Sequence, residues 1–156
     1  MSFSPSRFHF VFFSPPAEVT AVGFSARDET GSDQFYENQE IIVFGSELTN
    51  VGSNYQLESS TFICPTNGVY SFTVTLHNQE FITTQDYVVD IVKEGVGLVT
   101  VFSNYKDLYQ STGSVTVECL RGERVWVQCN VSVGCIMRNF DTYYYNMFSG
   151  FLVYAY

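Results

Sequence analysis

Gly68-Val69-Tyr70-Ser71-Phe72-Thr73-Val74-Thr75-Leu76-His77 is the stretch that decides the fold. Tyr70, Phe72, Val74 and Leu76 alternate with Val69, Ser71, Thr73, Thr75 and His77. An apolar residue at every second position places all of them on one face of an extended chain and the hydroxyl side chains on the other. No helix spacing fits this run, and β-branched and aromatic residues suit a pleated, half-buried surface.

The same period of two extends outward from it. Ser114 to Leu120 puts Val115, Val117 and Cys119 on one side and Thr116 and Glu118 on the other. Arg124 to Val133 puts Val125, Val127, Cys129, Val131 and Val133 inward, with Arg124, Trp126, Gln128, Asn130 and Ser132 outward. Tyr87–Lys93, Val96–Phe102 and Gly150–Tyr156 are further predicted strands, and Val19–Ala26, Glu40–Phe44 and Asn54–Leu57 precede them. Asn67-Gly68, Glu94-Gly95-Val96-Gly97 and Arg121-Gly122-Glu123 punctuate the pattern as turns. Many short strands between such turns, with no amphipathic helix and no internal repeat, predict an all-β sandwich or barrel.

Composition bounds the function. The 156 residues make one domain, large enough to bury a core without a metal. Aromatics reach 17% and charged residues only 15%, against an ordinary quarter for charge. This predicts more apolar surface than one subunit hides. The formal net charge of −9 argues against a nucleic-acid partner and against docking on anionic membranes. No run of 18 apolar residues spans a bilayer. Residues 1–17, with Phe8-His9-Phe10-Val11-Phe12-Phe13 and then Ser14-Pro15-Pro16, are expected to be an N-terminal arm or a processing remnant ahead of the globular domain at 18–156.

Five blocks in order carry a resemblance to one known family. Val22-Gly23-Phe24-Ser25-Ala26 resembles its first strand, with Gly23 where the family usually has Ala. Ile42-Val43-Phe44 with Asn50-Val51-Gly52 and Tyr55, then Phe62-Ile63-Cys64-Pro65 with Gly68 to Phe72, resemble its next two blocks. Ser111–Val117 with Leu120-Arg121-Gly122-Glu123-Arg124-Val125-Trp126-Val127 resembles the later hairpin. Phe148-Ser149-Gly150-Phe151-Leu152-Val153-Tyr154 is similar to the C-terminal signature. The family these blocks resemble is the C1q-domain (C1q/TNF-like) family, and the resemblance covers residues 19–156. It implies a ten-stranded jelly-roll sandwich, a homotrimer and a secreted, extracellular binding role. No collagen Gly-X-Y repeat stands in the chain, so it is similar to the stalkless, head-only members such as invertebrate C1q-domain proteins and cerebellin-type heads. Avidity would then come from the trimer itself.

A trimer also has support from parity. Trp126 falls on the outward side of its strand, and Tyr154 and Tyr156 alternate opposite Phe151 and Val153. Aromatics on both faces need a second layer of cover, which makes Trp126, Tyr154 and Tyr156 candidate interface residues.

Four cysteines allow three fully paired connectivities. Cys119 and Cys129 share the inward parity of their strands, and Cys64 reads as a small core hydrophobe. Cys129–Cys135 is the best single candidate bridge, with an all-thiol chain as the alternative. The strand-joining cysteine pair of some C1q subunits has no counterpart around Asp90 and Ser103. Asn130-Val131-Ser132 is a glycosylation sequon.

Catalysis finds no support. The two histidines, His9 and His77, lie apart in the sequence, and no nucleophile elbow, P-loop, His-Glu-x-x-His or Cys-x-x-Cys is present. No cofactor is required. Calcium is raised by the resemblance, since some C1q-like trimers hold it near the apex, and Asp86 and Asp107 are the candidate ligands.

Two segments stand out as ligand-binding candidates. Asn104 to Tyr109 supplies Tyr105, Lys106, Asp107 and Tyr109. Arg138 to Asn146 supplies Arg138, Asp141, Tyr143, Tyr144 and Tyr145. Tyr faces stack on sugar rings, and Asp and Arg hydrogen-bond hydroxyls and carboxylates. The resulting expectation is a lectin-like recognition protein of innate immunity that binds glycans or microbial surface polysaccharides. Lining of the trimer seam by the three consecutive tyrosines is the alternative for that segment. A receptor-directed ligand of the TNF or cerebellin kind and a structural acidic matrix protein are the competing function classes.

Overall fold

The computed structural model describes residues 21–77, 87–103, 110–137, 139 and 146–156. They form twelve strands: β1 (Gly23–Arg27), β2 (Gln34–Tyr36), β3 (Ser46–Val51), β4 (Tyr55–Gln56), β5 (Thr61–Ile63), β6 (Gly68–His77), β7 (Tyr87–Lys93), β8 (Val96–Ser103), β9 (Gln110–Cys119), β10 (Arg124–Cys129), β11 (Cys135–Met137) and β12 (Met147–Ala155). Two five-stranded antiparallel sheets face each other. Sheet one has the order β3-β1-β12-β6-β9 and sheet two the order β4-β5-β10-β7-β8. These ten strands make the jelly-roll sandwich, and β11 and β2 add a small ribbon beside it.

The decisive stretch, β6, sits between β12 and β9 and alternates buried and half-buried residues along its whole length. Its inward residues Tyr70, Phe72, Val74 and Leu76 join Val125, Val127 and Cys129 of β10 from the opposite sheet in one core. The middle of that core is aromatic. Phe24 stacks on Tyr55 at 4.6 Å between ring centroids and meets Phe62 and Phe148 at 5.0 Å each. Such pairs contribute about 0.5–1.5 kcal/mol apiece beyond their buried area.

The Phe-Ser-Gly-Phe run of β12 has a steric logic. Phe148 enters the core and Ser149 faces out, while Gly150 faces in between the Phe24 and Phe72 rings and Phe151 faces out again. The β7–β8 hairpin turns on Glu94 (φ 48°) and Gly95 (φ 82°), the pair of positive φ values that a type I′ turn demands.

Four details differ from the sequence reading. Glu40–Phe44 is not a strand: Ile41 makes a single bridge to Gln128, and Ile42 N–H donates to Val127 O at 2.9 Å. It runs beside the upper half of β10, where β5 no longer pairs. Strand β10 stops at Cys129, because Gly134 N–H closes a turn on Val131 O at 2.9 Å, leaving Val133 exposed. Strands β2 and β3, short or polar, lack the alternation that reveals the others. Finally, a bulge between Leu152 and Tyr154 shifts the parity of β12. Phe151 and Tyr154 therefore lie on the same outer side, opposite Ser71 and Val69.

Candidate recognition and assembly surfaces

The outer face of sheet one is built almost without charge. Its pairings align Val51, Gly23, Phe151, Ser71 and Thr116 in one row across all five strands. Thr49, Ser25, Ser149, Thr73 and Ser114 form the next. Hydroxyls pair across β6 and β9, Thr73 with Ser114 at 2.8 Å and Thr75 with Thr112 at 3.0 Å. Charge returns only at the margins, where Arg27 meets Glu29 and the Tyr156 hydroxyl donates to Glu118. For a chain of net charge −9, two uncharged rows spanning a whole sheet are a marked segregation.

Apolar groups stand out from this face. Val51 is 50% exposed, Phe151 55%, Tyr154 64% and Tyr156 56%. Gly23 leaves a shallow groove of about 310 Å³ between Thr49, Val51, Ser149 and Phe151. The sequence places Tyr154 and Tyr156 among interface candidates, and their rings lie 6.3 Å apart at the end of this face.

Trp126 lies elsewhere, on the outer face of sheet two. Its Nε1–H donates to Gln128 Oε1 at 2.9 Å, and the Arg124 guanidinium sits 6.0 Å from the ring centroid. Arg124 is fixed in turn by a two-point pairing to Glu94, Nε to Oε1 at 3.1 Å and an NH2 group to Oε2 at 3.2 Å. These hydrogen bonds hold the Glu94 carboxyl below its ordinary range. Beside the indole opens a groove of about 380 Å³, lined by Ile41, Gln56, Ser59, Thr61, Ile63, Arg124 and Trp126. An aromatic wall with amide, hydroxyl and guanidinium groups around it suits a polar ligand with an apolar face. Sequence parity puts Trp126 on the outward side, as an interface candidate; its groove partners come from β4, β5, Ser59 between them and the segment before β3, which periodicity does not connect to β10.

Several strand ends gather at one end of the sandwich. Thr75 pairs with Met147, His77 with Gln110 and Tyr87 with Ser103. Residues that flank 78–86, 104–109 and 138–145 thus gather at the end opposite Ala155, which pairs with Gly68. Buried polar groups lock this end: Asn146 Oδ1 accepts from His77 N–H at 2.9 Å, and Asn139 Nδ2 donates to Asp28 O at 3.2 Å. Tyr105, Lys106, Asp107, Tyr109, Arg138, Asp141, Tyr143, Tyr144 and Tyr145 lie outside the described residues, as does Asp86. Among the described residues no group of three or more His, Cys, Asp or Glu side chains converges to hold a metal.

Cys129 and Cys135 are joined in a disulfide, with Cα atoms 5.9 Å apart, close to this same end. Asn130, next to it, is exposed and its Nδ2 donates to buried Asp90, whose other oxygen accepts from Thr100 Oγ1 at 2.7 Å.

Comparison with known proteins decides the family, for the C1q domain pattern matches residues 23–153. The chain belongs to the C1q-domain family. The A-type polypeptide of the rat complement C1q subcomponent is 31% identical over 120 residues, which is 73% of this chain and 46% of that protein. Its mouse counterpart is 30% identical over the same length. The C1q-domain chain thus spans about half the length of the curated relatives it matches. Among solved structures, the globular domain of zebrafish complement 1qA is similar at TM-score 0.66 and 21% identity, covering 87% of this chain and 99% of that one. Eiger TNF from S. frugiperda is similar at TM-score 0.64 and 7% identity, covering 88% and 95%. Both likenesses establish the fold, the C1q/TNF-like jelly roll. No helix among the described residues is long and apolar enough to cross a membrane.

Proposed function

We propose that this C1q-domain chain is a secreted, multivalent recognition head of innate immunity: a homotrimer that binds glycans or microbial surface polysaccharides and catalyses nothing. The observation that carries the reading is the division between the two outer faces. Sheet one offers uncharged rows with projecting Phe151 and Tyr154, and interface cores are depleted of charge and enriched in aromatics. Sheet two keeps its charged side chains and its aromatic groove at Trp126. Assembly through the first face leaves the second open three times over, and repeated weak sugar contacts gain avidity from that repetition.

The tyrosines, Lys106, Arg138 and the aspartates of 104–109 and 138–145 belong to the same reading. The described strand ends that flank them gather at one end of the sandwich. Calcium, if bound, would engage Asp86 and Asp107.

The test is mass by light scattering, with and without EDTA, on the sample applied to a glycan array. Expected is three times the 17.7 kDa chain with a discrete set of glycans retained. A monomer overturns the assembly. A trimer blind to every glycan overturns the ligand class and directs the search to protein receptors. Loss of mass or of glycan signal in EDTA places calcium in the head, and no change removes it.

A further inference from the structure

Two of the four cysteines are already joined, and the other two face each other. Cys64 directly follows β5 in sheet two and Cys119 ends β9 in sheet one, and both are buried. The main chain brings them together. Cys64 N–H donates to Glu123 O at 2.8 Å, and its carbonyl accepts from Gly122 N–H at 2.7 Å. Both partners belong to the turn that starts at Cys119, so Cys64 is docked on the connection between β9 and β10. Gly68, four residues after Cys64, pairs with Cys119 across the strands. Both side chains belong to the same buried core cluster, at the end where this turn closes.

We propose that Cys64 and Cys119 are the two halves of a second disulfide, made when the chain folds in contact with an external disulfide. The contact is polarised for it. Cys64 beside it draws the Cys119 thiol below its ordinary range, while Cys119 and burial push that of Cys64 up. Lys93, held at the turn by Glu118 O and Glu123, adds a positive charge that favours the thiolate. With the Lys93 ammonium held on the carbonyl of the preceding residue, Glu118, Cys119 is the attacking sulfur in this proposal. Its thiolate displaces one half of a small-molecule or protein disulfide and forms a mixed disulfide. Cys64, losing its proton, then attacks the Cys119 sulfur and releases the second half as a thiol. One external S–S bond is broken and one internal S–S bond is formed. Two electrons and two protons pass to the external pair. Because both sulfurs are buried in the folded chain, the exchange belongs to folding or to an opening of the β9–β10 turn.

The bond would tie the two sheets together at the end holding Ala155, while Cys129–Cys135 lies toward the other end. Each end of the sandwich would then have its own staple. The ring from 64 to 119 is much longer than the one from 129 to 135, and a longer ring removes more freedom from the unfolded chain.

The full chain is refolded from reduced denaturant with glutathione and glutathione disulfide, which keeps the test separate from the reading of secretion. It is then unfolded in iodoacetamide without reductant, and its intact mass and linked peptides are measured. Expected is a chain that takes up no alkyl group, with a peptide joining Cys64 to Cys119. Two alkyl groups mapped to Cys64 and Cys119, or a link from either to Cys129 or Cys135, overturns the proposal. The double variant Cys64→Ser/Cys119→Ser should lower the thermal midpoint of the oxidised protein on the order of 10 °C. Under reductant the oxidised wild type should lose most of that advantage. Equal losses with and without reductant would mean packing alone, against the proposal.

Discussion

Phe24 and Gly150 pair across β1 and β12, and a methyl group placed on Gly150 would stand 2.8 Å from the Phe24 ring. The other glycine of this strand pair, Gly23, is different. A methyl group there meets Phe151 Cβ at 3.4 Å, an ordinary contact, on the outer face. Gly150→Ala should therefore destabilise the fold by about 1–3 kcal/mol through overpacking. Gly23→Ala should be neutral or stabilising by up to about 1 kcal/mol, since a strand glycine costs unfolded-state entropy. Urea midpoints of the two variants check this, and equal losses would contradict the inward and outward assignment.

Much of this was legible in the sequence. The alternation of Tyr70, Phe72, Val74 and Leu76 fixed the inward face of β6, and the ordered blocks around Phe24 and Phe148 fixed the sandwich. Other features depend on pairing, which periodicity along one strand does not report. The uncharged rows arise only when Ser25, Ser149, Thr73 and Ser114 are laid side by side by register. The bulge at Val153 breaks the very parity that assigns Tyr154 to a face. The groove at Trp126 draws Gln56 and Ser59 from sequence-distant, short elements.

The disulfide Cys129–Cys135 closes a short ring, with a sequence separation of 6. Chain-entropy reasoning gives such a ring about 2 kcal/mol. Cys129→Ala/Cys135→Ala should lose at least that amount, because the packing of two buried side chains is lost as well. Calorimetry would measure it. A variant as stable as wild type would mean that the turn at Val131–Gly134 already holds the ends together.

Stability should depend on pH at both extremes. Glu123 accepts from Leu120 N–H at 2.8 Å and pairs with Lys93 at 2.9 Å, which holds its carboxyl below the ordinary 4.5. A lowered folded value stabilises above about pH 4.5 and is lost as pH falls through it. The difference in urea midpoint between wild type and Glu123→Gln should be constant near neutrality and shrink below that pH. At the other extreme, burial pushes the phenols of Tyr55 and Tyr70 up to about 12. A raised folded value stabilises below the ordinary 10.0 and is lost as pH rises, so alkaline unfolding should begin above it. Absorbance of ionised tyrosine should show a late-titrating class that disappears on unfolding; a single class would contradict the burial of these rings.

The uncharged face makes a prediction about assembly. Phe151→Glu places a carboxylate in the centre of that face, where desolvation without a partner is costly. It should reduce the mass in solution to one chain while leaving the strand signal in circular dichroism unchanged, because Phe151 faces outward. Val96→Glu, at the exposed start of β8 in the other sheet, is the control and should keep the wild-type mass. A Phe151→Glu protein of wild-type mass would remove this face from the contact.

Recognition can be divided between the groove and the 138–145 segment. Trp126→Ala removes the aromatic wall and leaves the uncharged face untouched, so mass in solution should stay at wild type. If sugars stack on the indole, the loss should be about 1–3 kcal/mol per site, roughly ten- to a hundredfold in affinity. The triple change Tyr143→Ser, Tyr144→Ser and Tyr145→Ser asks the same of the 138–145 segment. Glycan retention abolished only by Trp126→Ala assigns the groove, and retention abolished only by the triple change assigns the segment. Retention unchanged in both, with the trimer intact, removes both from the binding site. A triple variant that falls apart into single chains instead makes those tyrosines part of the seam, because loss of assembly then accounts for loss of avidity.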